Sequence, residues 1–172
     1  ETEPGLQEKL YHSLDRFLIS DDVEIEDVTS SWVVLGIQGQ DSKYLAEVVL
    51  DGLKKDLSEH HTAICKYNGV DVAVTSRTFT GELGYDFWVD PEGAKALWTS
   101  LVKAGGKPVG FEALEVLRVE AGMPRYGVDV DRRMMPLEAR LIHVVDFNKG
   151  CYIGQEAIAK MHYRGKPRRY LI

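Results

Sequence analysis

Residues 70–89 read VDVAVTSRTFTGELGYDFWV, and the fold turns on them. Val70, Val72 and Val74 alternate with smaller or charged neighbours, and Tyr85 to Val89 is aromatic and β-branched, so both runs predict strands. Between them, Thr80-Gly81-Glu82-Leu83-Gly84 carries two glycines that suit a tight connection. Pro91 then opens a helix, where its missing N–H costs nothing, and Ala94, Leu97, Trp98, Leu101 and Val102 form its apolar stripe. Lys107-Pro108-Val109 reads as one more short strand. On the amino-terminal side, Trp32 to Ile37 is a nearly continuous apolar run, read as a central strand. Tyr44 to Leu57 follows as a helix with Leu45, Val48, Val49, Gly52 and Leu53 on one side. The order strand, helix, strand, strand, helix, strand over 32–109 is an α+β plan with a ferredoxin-like (split βαβ) core. Residues 60–68 leave room for a further edge strand.

The flanks carry weaker patterns. Leu6, Leu10, Leu14, Phe17 and Leu18 have helical spacing, and Val23 and Ile25 alternate with acids as a short half-buried strand. Phe111, Leu114, Leu117 and Ala121 mark another helix, with Gly122 at its C′ position. Residues 123–137 look irregular, and so long an ordered crossing is expected to line something. A strand over Leu141–Val145, a helix from Gln155 to about Met161 and a basic terminal strand complete the reading. The expected division is 1–27 (a leading helix and strand), 28–110 (the ferredoxin-like part), 111–163 (helix, crossing and thiol segment) and 164–172 (the start of a further strand).

Composition narrows the function. A net charge of −6 on 172 residues argues against duplex nucleic acid as a partner. The local run Arg164, Lys166, Arg168 and Arg169 reads as a solvated edge. The longest apolar runs are too short to cross a bilayer, so no membrane partner is expected. Cys65 and Cys151 are the only cysteines, which points to a reducing compartment: cytoplasm, or mitochondrial matrix in a eukaryote. The chain starts without Met and ends on Tyr170-Leu171-Ile172, and is expected to be part of a larger polypeptide.

Lys149-Gly150-Cys151-Tyr152-Ile153-Gly154-Gln155-Glu156 sets a lone thiol between a glycine-bearing turn and a short helix. Backbone N–H groups at a helix start stabilise a thiolate, and Lys149 adds positive potential. The alternative is a space-filling core cysteine. Glu82, at a glycine-rich bend, can accept hydrogen bonds from a planar polar ligand, or it can be an exposed turn residue. Arg118, mid-helix, can grip a carboxylate in a fork, or it can pair with Glu115 three residues back. The five histidines show no metal-binding spacing, and no phosphate loop or nucleophile elbow occurs, so no metal is expected.

Three blocks together resemble the aminomethyltransferase-like, folate-binding superfamily typified by the T-protein of the glycine cleavage system. They are FLISDDVEIEDV (17–28), TGELGYD (80–86) and LRVEAGMPRYG (117–127). Within that superfamily KGCYIGQE (149–156) resembles the KGCYxGQE signature of a branch linked to iron–sulfur cluster assembly or repair, and T-proteins lack a cysteine equivalent to Cys151. The resemblance implies tetrahydrofolate as ligand, with Glu82 and Tyr85 near the pterin and Arg118 at the pocket wall or polar tail. It implies catalytic roles for Cys151 and Lys149. It also implies folate-pocket residues ahead of Glu1, a barrel domain beyond Ile172, and transient contact with iron–sulfur proteins. Three functions stay open. One is a tetrahydrofolate-binding aid to iron–sulfur proteins, favoured by the octapeptide. The others are an aminomethyltransferase and an interaction domain without catalysis.

Overall fold

A computed structural model describes residues 2–53, 57–165, 167 and 169–171. They form two compact units, 1–121 and 122–172. The division falls inside the stretch read from sequence as one segment, 111–163.

The first unit begins with α1 (Gln7–Asp15) and a 3-10 turn at Thr29–Ser31, then runs β1 (Val33–Gln38), α2 (Ser42–Val49), β2 (Thr62–Tyr67), β3 (Val70–Ser76), β4 (Gly84–Val89), α3 (Pro91–Lys103) and α4 (Phe111–Glu120). The four strands form one antiparallel sheet in the order β1-β4-β3-β2. Period-two alternation sends Leu35, Val74 and Phe87 to one face, where they pair across three neighbouring strands. Cys65, Val72, Tyr85 and Val89 join them in the core, together with Ala46 and Leu50 from α2 and its end and Leu97 and Leu101 from α3.

Local chemistry explains the element ends. Asp90 caps α3 by accepting the Gly93 N–H at 2.8 Å, with Pro91 in the first turn. Asn68 and Gly69 both have positive φ, as a two-residue hairpin between β2 and β3 requires. Tyr67 on β2 reaches α3 through its hydroxyl, 2.9 Å from Ser100 Oγ.

The six-element order expected over 32–109 is not what forms. Residues 62–67 are a strand, the edge possibility left open at 60–68, whereas 107–109 are coil. Pro108 has no N–H for a ladder. What remains of the split arrangement is that β1 and β3 run in the same direction with antiparallel β4 between them. β1 is an edge strand, not a central one, because β4 and β3 take the middle. The helix expected over 44–57 stops at Val49, where Leu50 turns extended and Asp51 bridges Lys66 beside the β2 edge; its tail at 54–56 lies outside the described residues. Val23 and Ile25 form no strand, since no neighbouring strand offers them a ladder. The connection over 77–83 is a longer loop rather than a tight turn. Of the stripe expected on α3, Leu97 and Leu101 are buried while Trp98 is exposed. On α4 the pattern inverts: Phe111 and Leu117 are exposed, and Arg118 is the buried residue. Gly122 follows this helix with φ of 68°, as a C′ glycine.

The second unit has little regular structure: a Tyr126–Val130 bridge, a 3-10 turn at Ile142–Val144 and α5 (Gln155–Arg164). The strand expected over 141–145 is that 3-10 turn, with Val144 exposed. The expected terminal strand is not formed by the described residues 169–171, and Lys166, Arg168 and Ile172 lie outside them. Phe147 stacks on His162 of α5 at 4.4 Å. Leu171 N–H donates to the Glu138 carbonyl at 2.9 Å, and Arg169 Nε to its carboxylate at 3.2 Å. The Met135 N–H, and then Arg169, hold the Glu138 carboxyl below the usual carboxylate range.

Candidate functional site

The loop of residues 77–83 joins β3 to β4 and carries Glu82 near its tip. Its mouth is closed by Arg77 N–H donating to the Gly84 carbonyl at 3.0 Å. The Arg77 guanidinium stacks on the Phe79 ring, 4.4 Å from its centroid, and lies 3.7 Å from the Asp86 carboxylate. Asp86 is 3% exposed on the sheet face opposite the core side chains. The sequence signal for this buried carboxylate is a single charged residue inside the otherwise aromatic and β-branched run YDFWV.

Gly81, with φ of 77°, brings the loop tip against the end of α4: a Cβ there would sit 3.3 Å from Ala121 Cβ. The TGELG and LRVEAG blocks, 36 residues apart between Gly81 and Leu117 in sequence, therefore meet in one unit. Glu82 is exposed, and its carboxylate has no hydrogen-bond or ion-pair partner among the described residues. Arg118 is 7% exposed and engaged by Glu115, accepting Nε at 2.8 Å and, more closely, Nη2. This is the ion-pair alternative recognised in the sequence, with the helix spacing that favours it. Tyr85 does not project from the loop; its side chain is 2% exposed within the core.

Cys151 and Lys149 belong to the second unit. Cys151 is exposed, not the core filler, whereas Cys65 is the buried cysteine, its thiol pushed up by burial. The helix that follows starts at Gln155, after a Tyr152–Gln155 turn and Gly154 at φ of 85°. Cys151 thus lies outside the first turn, where the dipole field is concentrated. The Lys149 ammonium sits over the Tyr152 ring, 5.2 Å from its centroid, and the Lys149 N–H donates to Asp146 Oδ1 at 3.2 Å. A shallow depression lined by Cys151, Tyr152, Gln155 and Glu156 opens beside the thiol. Among the described residues no group of three His, Cys, Asp or Glu is placed to hold a metal ion, and no helix is long and apolar enough to cross a membrane.

The sequence profile of the GCVT N-terminal domain matches residues 2–149. The chain is 34% identical over 149 residues to an aminomethyltransferase of Rubrobacter xylanophilus, covering 86% of this chain and 40% of that protein. It is 35% identical over 155 residues to one of Caldanaerobacter subterraneus, covering 86% and 41%. It is 33% identical over 181 aligned positions to one of Prosthecochloris aestuarii, covering 94% and 50%. The chain spans half or less of the length of these curated relatives.

Proposed function

This chain belongs to the GCVT N-terminal domain family, and from that membership we propose that it is part of a tetrahydrofolate-binding protein of the aminomethyltransferase type. Such a protein passes a one-carbon unit from an aminomethyl carrier to tetrahydrofolate. The observation that carries the reading is the meeting of Gly81 with Ala121, which presents Glu82 at the end of α4 with an unshared carboxylate among the described residues. That group fits a reduced pterin. The pterin's ring N–H and exocyclic amine lie on one edge, and a carboxylate accepts both in a fork. Arg118, held by Glu115, serves as wall and not as a free fork for the ligand's tail.

Glu82→Gln retains shape but replaces one acceptor with a donor. In the full-length protein it is expected to weaken reduced-folate binding by ~1–3 kcal/mol, about 5- to 150-fold. Isothermal calorimetry with 5-formyltetrahydrofolate measures this; equal affinities would remove Glu82 from the pocket.

A second reading has its own support. The exposed Cys151 inside KGCYIGQE suits a folate-binding protein that makes transient contact with iron–sulfur proteins. One thiol supplies one of the four ligands a cluster usually needs, so the protein would assist a client and not store a cluster. Native-state alkylation with iodoacetamide is expected to modify Cys151 and to spare Cys65 until the protein unfolds. A Cys151 that stays unmodified in the native protein would take the thiol, and with it this reading, away.

A further inference from the structure

We propose that Gln38 is the positioning residue of the Glu82 loop, acting with Ser42 to hold the loop so that its carboxylate stands ready for the ligand. The inference rests on the folate reading above and adds the residues that shape its site.

Gln38 ends β1 and pairs with Gly84 across the sheet. Both ends of its amide are used: Nε2 donates to the Arg77 carbonyl at 3.1 Å, and Oε1 accepts the Phe79 N–H at 2.8 Å. Ser42, 1% exposed at the start of α2, donates its hydroxyl to the Leu83 carbonyl at 2.9 Å, and Gly39 N–H donates to the same oxygen at 2.8 Å. The loop is therefore fixed at residues 77, 79 and 83, and the stretch between, Thr80-Gly81-Glu82, is its working tip. A side chain needs one donor and one acceptor at its end to join two backbone groups of opposite polarity in this way. An aspartate or glutamate would face the Arg77 carbonyl with a second acceptor, and a hydrocarbon would leave both backbone groups unmet. Both ends of the Gln38 amide are spent on the loop backbone, so Gln38 acts through Glu82.

The test is a double-mutant cycle on the full-length protein, read by calorimetry with 5-formyltetrahydrofolate. Gln38→Met, close in size and without hydrogen-bonding ends, is expected to weaken binding about tenfold. The same change in the Glu82→Gln background is expected to weaken it less than about twofold, because the loop then has little left to position. An equal loss in both backgrounds would make Gln38 a general structural residue and overturn the proposal, and so would no loss in either. Hydrogen exchange at the Phe79 amide separates the clamp from the ligand. Gln38→Met is expected to speed that exchange by more than its loss of global stability explains, with the denaturation midpoint measured on the same preparation. Unchanged exchange would overturn the clamp itself. If Glu82→Gln alone left affinity intact while exchange at Phe79 rose, the folate assignment of Glu82 would fail and the clamp would stand. Ser42→Ala gives a second variant, expected to loosen the loop exit in the same direction.

Discussion

Phe87→Ala is expected to lower the unfolding free energy by ~3–5 kcal/mol, the range for deleting a buried aromatic ring. Phe87 is fully buried in the middle of β4, paired with Leu35 on β1 and Val74 on β3. Its ring is shared by three strands, so no single neighbour can move in to fill the space. Against a total of ~5–15 kcal/mol for a typical domain, the loss is a large share of stability. Urea denaturation should show a lower midpoint with an unchanged slope. Phe111→Ala is the matched control: the ring is 90% exposed on α4, and its removal should stay within ~0.5 kcal/mol. A loss at Phe87 no larger than at Phe111 would show that β4 is not the centre of the core.

Gly84→Ala should be nearly as costly, for the opposite reason. A Cβ at position 84 would lie 2.2 Å from Gln38 Nε2 and 2.4 Å from the Arg77 carbonyl oxygen. The side-chain amide can swing away only by releasing the Arg77 carbonyl and the Phe79 N–H, and the backbone oxygen cannot yield without opening the loop mouth. Overpacking together with the two unmet backbone groups is expected to cost ~2–4 kcal/mol. The same variant should bind reduced folate more weakly than its stability loss explains, since the Glu82 loop is displaced. Denaturation and calorimetry on one preparation measure both. A stability close to that of the unsubstituted protein would mean that the strand end relaxes freely and that the glycine is dispensable.

Much of the central sheet could be read from residue order. The alternation in 70–76 and the aromatic run in 84–89 mark β3 and β4 and their core faces, and Asp90-Pro91 marks the start of α3. Asn68-Gly69 is an equally local signal: an Asn-Gly pair between two apolar runs marks the hairpin that joins β2 to β3. Runs without partners misled the reading at 23–25, 107–109 and 141–145. A strand is completed by a neighbour's hydrogen bonds, and alternation or β-branching in one segment says nothing about whether that neighbour exists. Glu82 was legible as a carboxylate at a glycine bend. Its clamp was not, because Gln38 lies 39 positions from Arg77 and one amide in a sequence carries no sign of the two backbone groups it will join.

By itself the sequence determined the period of two in β3 and β4, the start of α3, which glycines permit the turns, and which family three of its blocks resemble. These follow from local sterics and from the pattern of side chains along the chain. Only the tertiary structure decided that β1 lies at an edge, that Arg118 and Asp86 are the charged residues taken out of water among the described residues, that Tyr85 points into the core, and that Gly81 comes to rest against Ala121. Each of those depends on contacts between residues far apart in the chain. Such contacts form where burying apolar surface outweighs the entropy of closing the chain, a balance set by the whole fold and by no single segment.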